Sequence, residues 1–168
     1  MEYQKSEEGL PISNFIGNEI KEGNIVKGTV KNIRKFGAFV EIEQGPVGLL
    51  HIEDISVSRI KSPEERFSIG QKINVMIKSI DKQNNKVVLT YKELLGNWEE
   101  NVRDYNEKTV VQGIVKEPDK FKNGIFIELK PNLVGLAEYK EGLEYGQKVN
   151  VYIKKIIKDR KKIKLLIV

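Results

Sequence analysis

Apolar and polar residues alternate along most of this chain in bursts of five to ten, the period-two signature of short β-strands with one buried face. From residue 37 onward, Ala38, Val40 and Ile42 fall on one side of such a strand, and Phe39, Glu41 and Glu43 on the other. Reading the same alternation between Gly, Pro and Asn punctuation predicts strands near Ile25 to Arg34, Gly37 to Ile42, Val47 to His51, Lys72 to Ile80 and Lys86 to Thr90. The predicted inward positions are Val26, Val30, Val40, Ile42, Ile73, Val75, Ile77, Val87 and Leu89. Asn84-Asn85 suits a hairpin tip. Within Ile55 to Ile69, Pro63-Glu64-Glu65-Arg66 predicts a helical turn opened by proline.

The pattern then occurs a second time. KGTV (27–30) returns as QGIV (112–115), GAFVEIE (37–43) as GIFIELK (124–130), VGLLHIE (47–53) as VGLAEYK (134–140), and IGQKINVMIKSI (69–80) as YGQKVNVYIKKI (145–156). The offset is 85 at Gly28/Gly113, 87 at Phe39/Phe126 and 76 at Leu89/Leu165, so length changes fall in connections, where loops absorb them cheaply. Five strands in about seventy residues bury enough apolar surface only if the sheet closes on itself. The expected architecture is all-β: two tandem five-stranded barrels of the oligonucleotide-binding (OB) type. The expected boundaries are an N-terminal arm at 1–21, a first barrel at 22–92, a connector at 93–107 and a second barrel at 108–168. In the connector, Leu94, Leu95, Trp98 and Val102 lie near helical spacing, interrupted by Gly96, and Trp98 is expected to wedge between connector and barrel.

Composition narrows the function. Cysteine is absent, which removes disulfides and thiolate zinc sites and suits a reducing compartment. No apolar run is long enough to span a bilayer, and the expectation is a cytoplasmic protein with no membrane partner. One histidine and no recurring acid pair leave no nucleophile and base to assemble, so a non-catalytic protein without cofactor or metal is expected. The net charge of +5 is unevenly spread: −2 over 1–21, +4 over 22–92, −4 over 93–107 and +7 over 108–168. Two basic segments attract polyanions, although lysine-rich solvated surface gives the same count.

Against that background Phe39 is out of place. It shares a face with glutamates, forgoing about 1.5 to 3 kcal/mol of burial unless a ligand or the 55–69 loop covers it. Phe36 precedes Gly37, where a bend or bulge lets both rings form one platform. FGAF with histidine twelve residues after its second phenylalanine, then GQK and an aliphatic strand ending at Asp81, resembles the S1 RNA-binding domain across 22–92. The phrases ISVSRIKSPEERF and YKELLGNWEENV are similar to the last two repeats of short bacterial ribosomal protein S1 homologues.

The resemblance implies binding of single-stranded RNA, messenger RNA above all, in translation or RNA handling. A ribosomal or RNA-processing protein is the alternative partner, reached through a docking role. It also implies a binding surface of Phe36, Phe39, His51, Asp81 and the basic position Lys86, where arginine is common in the family. Physically, rings stack on any base while Lys27, Lys31, Arg34 and Lys35 supply charge for phosphates. His51 is either a contact or a structural histidine. Asp81 either caps the following turn or accepts from a base or ribose hydroxyl.

The second copy departs from this pattern. Phe126 keeps the second ring and Lys162 the basic position, but Asn123, Glu138 and Ile157 replace the first ring, the histidine and the aspartate. Phe121 or Tyr152 is a candidate replacement ring. The run KDRKKIK (158–164) either grips backbone phosphates or is ordinary solvated surface, and this barrel is not expected to be an equivalent reader.

Overall fold

A computed structural model of the chain describes residues 20–119 and 123–168. The expected arm at 1–21 therefore lies, but for its last two residues, outside the described residues, as does Phe121. The chain divides into two compact units, one reaching to Leu94 without residues 57–59, the other comprising 57–59 and Leu95–Val168.

The first unit is a closed barrel of β1 (Ile25–Arg34), β2 (Gly37–Ile42), β3 (Val47–His51), β4 (Lys72–Asp81) and β5 (Lys86–Thr90), ordered β1-β2-β3-β5-β4. β4 closes against β1, and every pairing is antiparallel except β3 with β5. The predicted strands are present, with β4 running one residue further because Asp81 pairs with Lys86 across the hairpin. Closure leaves no free sheet edge and gives each strand one face for the core. Eight of the nine predicted inward residues are buried there; Val26 is partly exposed and packs against the same cluster. Pro63–Glu65 forms a single 3-10 turn whose start is capped by Ser62, the hydroxyl accepting from Glu64 N at 3.2 Å.

The second unit repeats the design with β6 (Val110–Asp119), β7 (Gly124–Lys130), β8 (Leu133–Glu138), β9 (Lys148–Ile157) and β10 (Lys162–Ile167). Its order is β10-β8-β7-β6-β9, the first barrel's order with ten and eight as the parallel pair. The connector is partly helical, broken at Gly96 where the sequence expectation placed the interruption. A 3-10 turn at Lys92–Leu95 stops at Gly96, whose φ of +86° no helix continues through, and a new helix runs from Trp98 to Val102. Asn97 starts it with a capping box: its side chain accepts from Glu100 N at 2.8 Å while Glu100 accepts from Asn97 N at 3.1 Å. Trp98, Val102 and Tyr105 pack against the second core, so Trp98 serves as the expected wedge within this unit.

Candidate nucleic-acid interface

Register determines which side chains share the outer wall of the first barrel. Residues directly opposite one another across a pair of strands lie on one face of the sheet. One such row runs Asn32–Phe39–Leu49–Val88–Ser79 across β1, β2, β3, β5 and β4. All five residues are partly or fully exposed, so this row faces outward. The next outward row is Arg34–Gly37–His51. Sequence alternation alone would send Asn32 inward with Val30. A β-bulge at Lys31 shifts the register between Val30 and Asn32 and turns Asn32 out beside Phe39.

Gly37 lets the rings meet. A Cβ there would lie 2.4 Å from Leu50 O and 3.1 Å from the His51 Cα, so only glycine lets β2 approach β3 this closely. Ile52 N donates to Phe36 O at 2.9 Å, holding the residue before the glycine against the end of β3. The Phe36 and Phe39 rings then stand edge to face, centroids 6.1 Å apart and planes at 88°. Phe36 is 50% exposed and Phe39 partly so. The 55–69 loop therefore does not bury the pair. His51 is exposed in the row next to Phe39. Arg34 is steadied by its own strand: its Nη1 donates to Asn32 Oδ1 at 3.2 Å, and Ile33 N donates to the same oxygen at 2.9 Å.

The structure thus gathers Phe36, Phe39, His51, Arg34 and Lys35 at one end of the β1–β2–β3 wall. Lys86, two residues before Val88 on β5, which runs parallel to β3, lies on the other side of the Phe39–Leu49–Val88 row from His51. Asp81 pairs with Lys86, and its carboxylate accepts from Asn84 N at 3.2 Å and from Asn84 Nδ2 at 2.7 Å. Those bonds, chiefly the side-chain one, hold the Asp81 carboxyl below the ordinary aspartate range. Asp81 caps its turn, as one of its two expected readings required. Lys31 and Lys27 are not part of the gathering. Lys31 lies 3.8 Å from Glu41. Lys27 pairs with Asn74 at the far end of β1, seven residues or about 23 Å along the strand from Arg34. Sequence reading missed Asn32, Leu49 and Val88. Alternation marks Leu49 and Val88 as outward, whereas nothing in the sequence announces the bulge.

The corresponding wall of the second barrel carries other chemistry. Phe126, 38% exposed, opens the row Phe126–Leu136–Lys164–Lys155. Glu138 pairs with Gly124 where His51 pairs with Gly37, and Asp119 holds the register position of Arg34. Lys162 is exposed opposite Ile157, as Lys86 is opposite Asp81. Tyr152 lies in a separate row between Val110 and Leu166. Lys116 and Glu128 occupy the positions of Lys31 and Glu41 but are 5% and 4% exposed, 3.7 Å apart, with Lys116 Nζ donating to Tyr145 Oη at 2.9 Å. Among the described residues no group of three His, Cys, Asp or Glu is placed to hold a metal ion.

Residues 19–92 match the family model described as the S1 RNA binding domain. Over 160 residues the chain is 35% identical to the small ribosomal subunit protein bS1 of Staphylococcus saprophyticus, covering 88% of this chain and 40% of that protein. Over 174 residues it is 36% identical to a Clostridium acetobutylicum protein named 4-hydroxy-3-methylbut-2-enyl diphosphate reductase, covering 96% of this chain and 27% of that one. The chain therefore spans well under half the length of these curated relatives. Among solved structures, GSP13 from Bacillus subtilis is similar at a TM-score of 0.43 and 23% identity, over 61% of this chain and 68% of that one.

Proposed function

Because residues 19–92 belong to the S1 RNA-binding domain family, we propose that the chain binds single-stranded RNA without catalysis, stacking bases on the first barrel and holding phosphates with positive charge from both. The observation that carries this is the exposed edge-to-face pair Phe36–Phe39, continued by Leu49 and Val88 and flanked by Arg34, Lys35 and His51. Ring faces accept any base, at about 1 to 3 kcal/mol per stacked base, so the surface is tolerant of sequence. Cations beside the rings meet the backbone that connects the stacked bases. Asp81, held by Asn84, serves the turn that positions Lys86. The name of the bS1 relatives points to translation as the setting and messenger RNA as the ligand, in the cytoplasm. The reductase name belongs to a protein most of whose length lies outside the match, and it supplies no chemistry to these residues.

One observation supports the docking alternative for the second barrel. Val110, Tyr152 and Leu166 form an outward apolar row in which Val110 is 57% and Leu166 42% exposed, the composition of a protein-binding surface. Fluorescence anisotropy with labelled single-stranded RNA tests the main reading. Phe36→Ala/Phe39→Ala is expected to lose at least thirtyfold in affinity, about 2 kcal/mol, at an unchanged salt slope. Wild-type affinity in that variant overturns base stacking on the first barrel.

A further inference from the structure

Resting on that RNA-binding reading, we infer that the second barrel holds its own phosphate track for single-stranded RNA, centred on β10 and β9. Its centre is the pair Lys155 and Lys164. These two lysines sit directly opposite each other on antiparallel strands, both exposed. Like charges in that relation repel and destabilise a sheet. One nearby lysine of the basic run is answered locally: Lys161 lies 3.6 Å from Glu99. Among the described residues, neither Lys155 nor Lys164 has a carboxylate within ion-pair distance. A polyanion laid over the row would remove the repulsion.

The rest of the row says which polyanion and which way it lies. Leu136 and Phe126 continue it from Lys164, ending in one exposed ring. One ring two strands, about 10 Å, from the nearer of two cations without ion-pair partners suits one stacked base attached to two phosphates. In the first barrel the matching positions are the uncharged Val88 and Ser79, and Arg34 and Lys35 lie at the other edge. The second barrel reverses this polarity. Glu138, exposed at the register position of His51, repels a backbone, so a strand that keeps clear of it passes over β10 and β9. The two barrels thus present the same frame with positive charge on opposite sides of the stacking ring.

The full chain carrying Lys155→Gln/Lys164→Gln, compared by anisotropy over a salt series with labelled single-stranded RNA, tests the track. Loss of two phosphate contacts lowers the logarithmic salt slope by about 1.4, which is about a 25-fold smaller change in affinity over a tenfold change in salt. Lys140→Gln/Lys148→Gln removes equal charge elsewhere on the barrel and is expected to leave the slope unchanged. The melting temperature of Lys155→Gln/Lys164→Gln should equal or exceed wild type, since repulsion is relieved. An unchanged slope in Lys155→Gln/Lys164→Gln, or an equal drop in the control, overturns the track. A lowered slope in that variant alone supports it, even where Phe36→Ala/Phe39→Ala binds normally and base stacking on the first barrel has failed.

Discussion

Replacing Gly37 by alanine tests whether the fold itself builds the ring platform. The new methyl group would lie 2.4 Å from Leu50 O, a backbone atom that cannot rotate away. Strands β2 and β3 must part by about half an ångström or more at the Gly37–His51 pair. Overpacking of this kind costs roughly 1 to 3 kcal/mol, and the Ile52 N to Phe36 O bond beside it is worth about 0.5 to 1.5 kcal/mol more if it opens. The same separation displaces His51 and the main chain of Phe36. Losing one stacked base weakens RNA binding by about 5- to 150-fold. Gly113→Ala is the control: its methyl group would lie 2.4 Å from Ile127 Cγ2 in the second barrel, on neither the ring pair nor the Phe126 row. Urea unfolding and RNA anisotropy on both variants separate the effects. Both should be destabilised, and only Gly37→Ala should lose the stacking contribution. A Gly37→Ala protein with wild-type stability and wild-type affinity would refute the argument that close approach of β2 and β3 sets the rings.

Three further outcomes follow from the same geometry. Glu128→Leu leaves Lys116 buried without this carboxylate and should cost about 3 to 5 kcal/mol in urea unfolding, whereas Glu41→Leu, from a pair more than two-fifths exposed on each side, should cost under about 1 kcal/mol. Asn97→Ala removes one half of the capping box and should cost about 1 kcal/mol, read in the same assay. The Asp81 carboxyl is held below its ordinary value, so its bonds to Asn84 support the fold fully above the unfolded value and are lost as pH falls through the folded one; the Asn84 amide shift in NMR should titrate with a midpoint below that of an unrestrained aspartate, and an ordinary midpoint would show the cap absent.

Strand positions were legible because several bursts of alternation end beside residues that turn the backbone, Gln44, Asn85, Asn123 and Lys161 at positive φ among them, and the duplicated phrases supplied two readings of one frame. The connector was half legible. Leu94, Leu95, Trp98 and Val102 have helical spacing, but Gly96 at φ +86° and Asn97 as a cap reset the backbone between the two apolar pairs. Within the site, Phe39 was visible as a ring on the wetted parity, and His51 through its spacing from FGAF in the family resemblance. Lys27 was assigned with them because parity says nothing about how far along the strand a residue lies, and Lys31 because parity does not show that it is the bulged residue, beside Glu41.

Asn32 shows the deeper limit of reading by period. One extra residue at Lys31 reverses parity for the last part of β1, placing Asn32 and Arg34 outward beside Phe39 and Gly37. The bulge gives the rings a polar border that strict alternation would have turned into the core. In β6 the register also shifts, between Val115 and Pro118, so the frame is kept while the chemistry at the border changes. Asp119 and Glu138 then stand at the register positions of Arg34 and His51, while Lys164 and Lys155 replace Val88 and Ser79. Because these exchanges fall at outward positions, they leave the buried residues of both barrels intact and alter only what each wall can hold. Two copies of one fold can therefore carry different outer walls at no cost to either core, which is what the two proposed modes of binding a strand require.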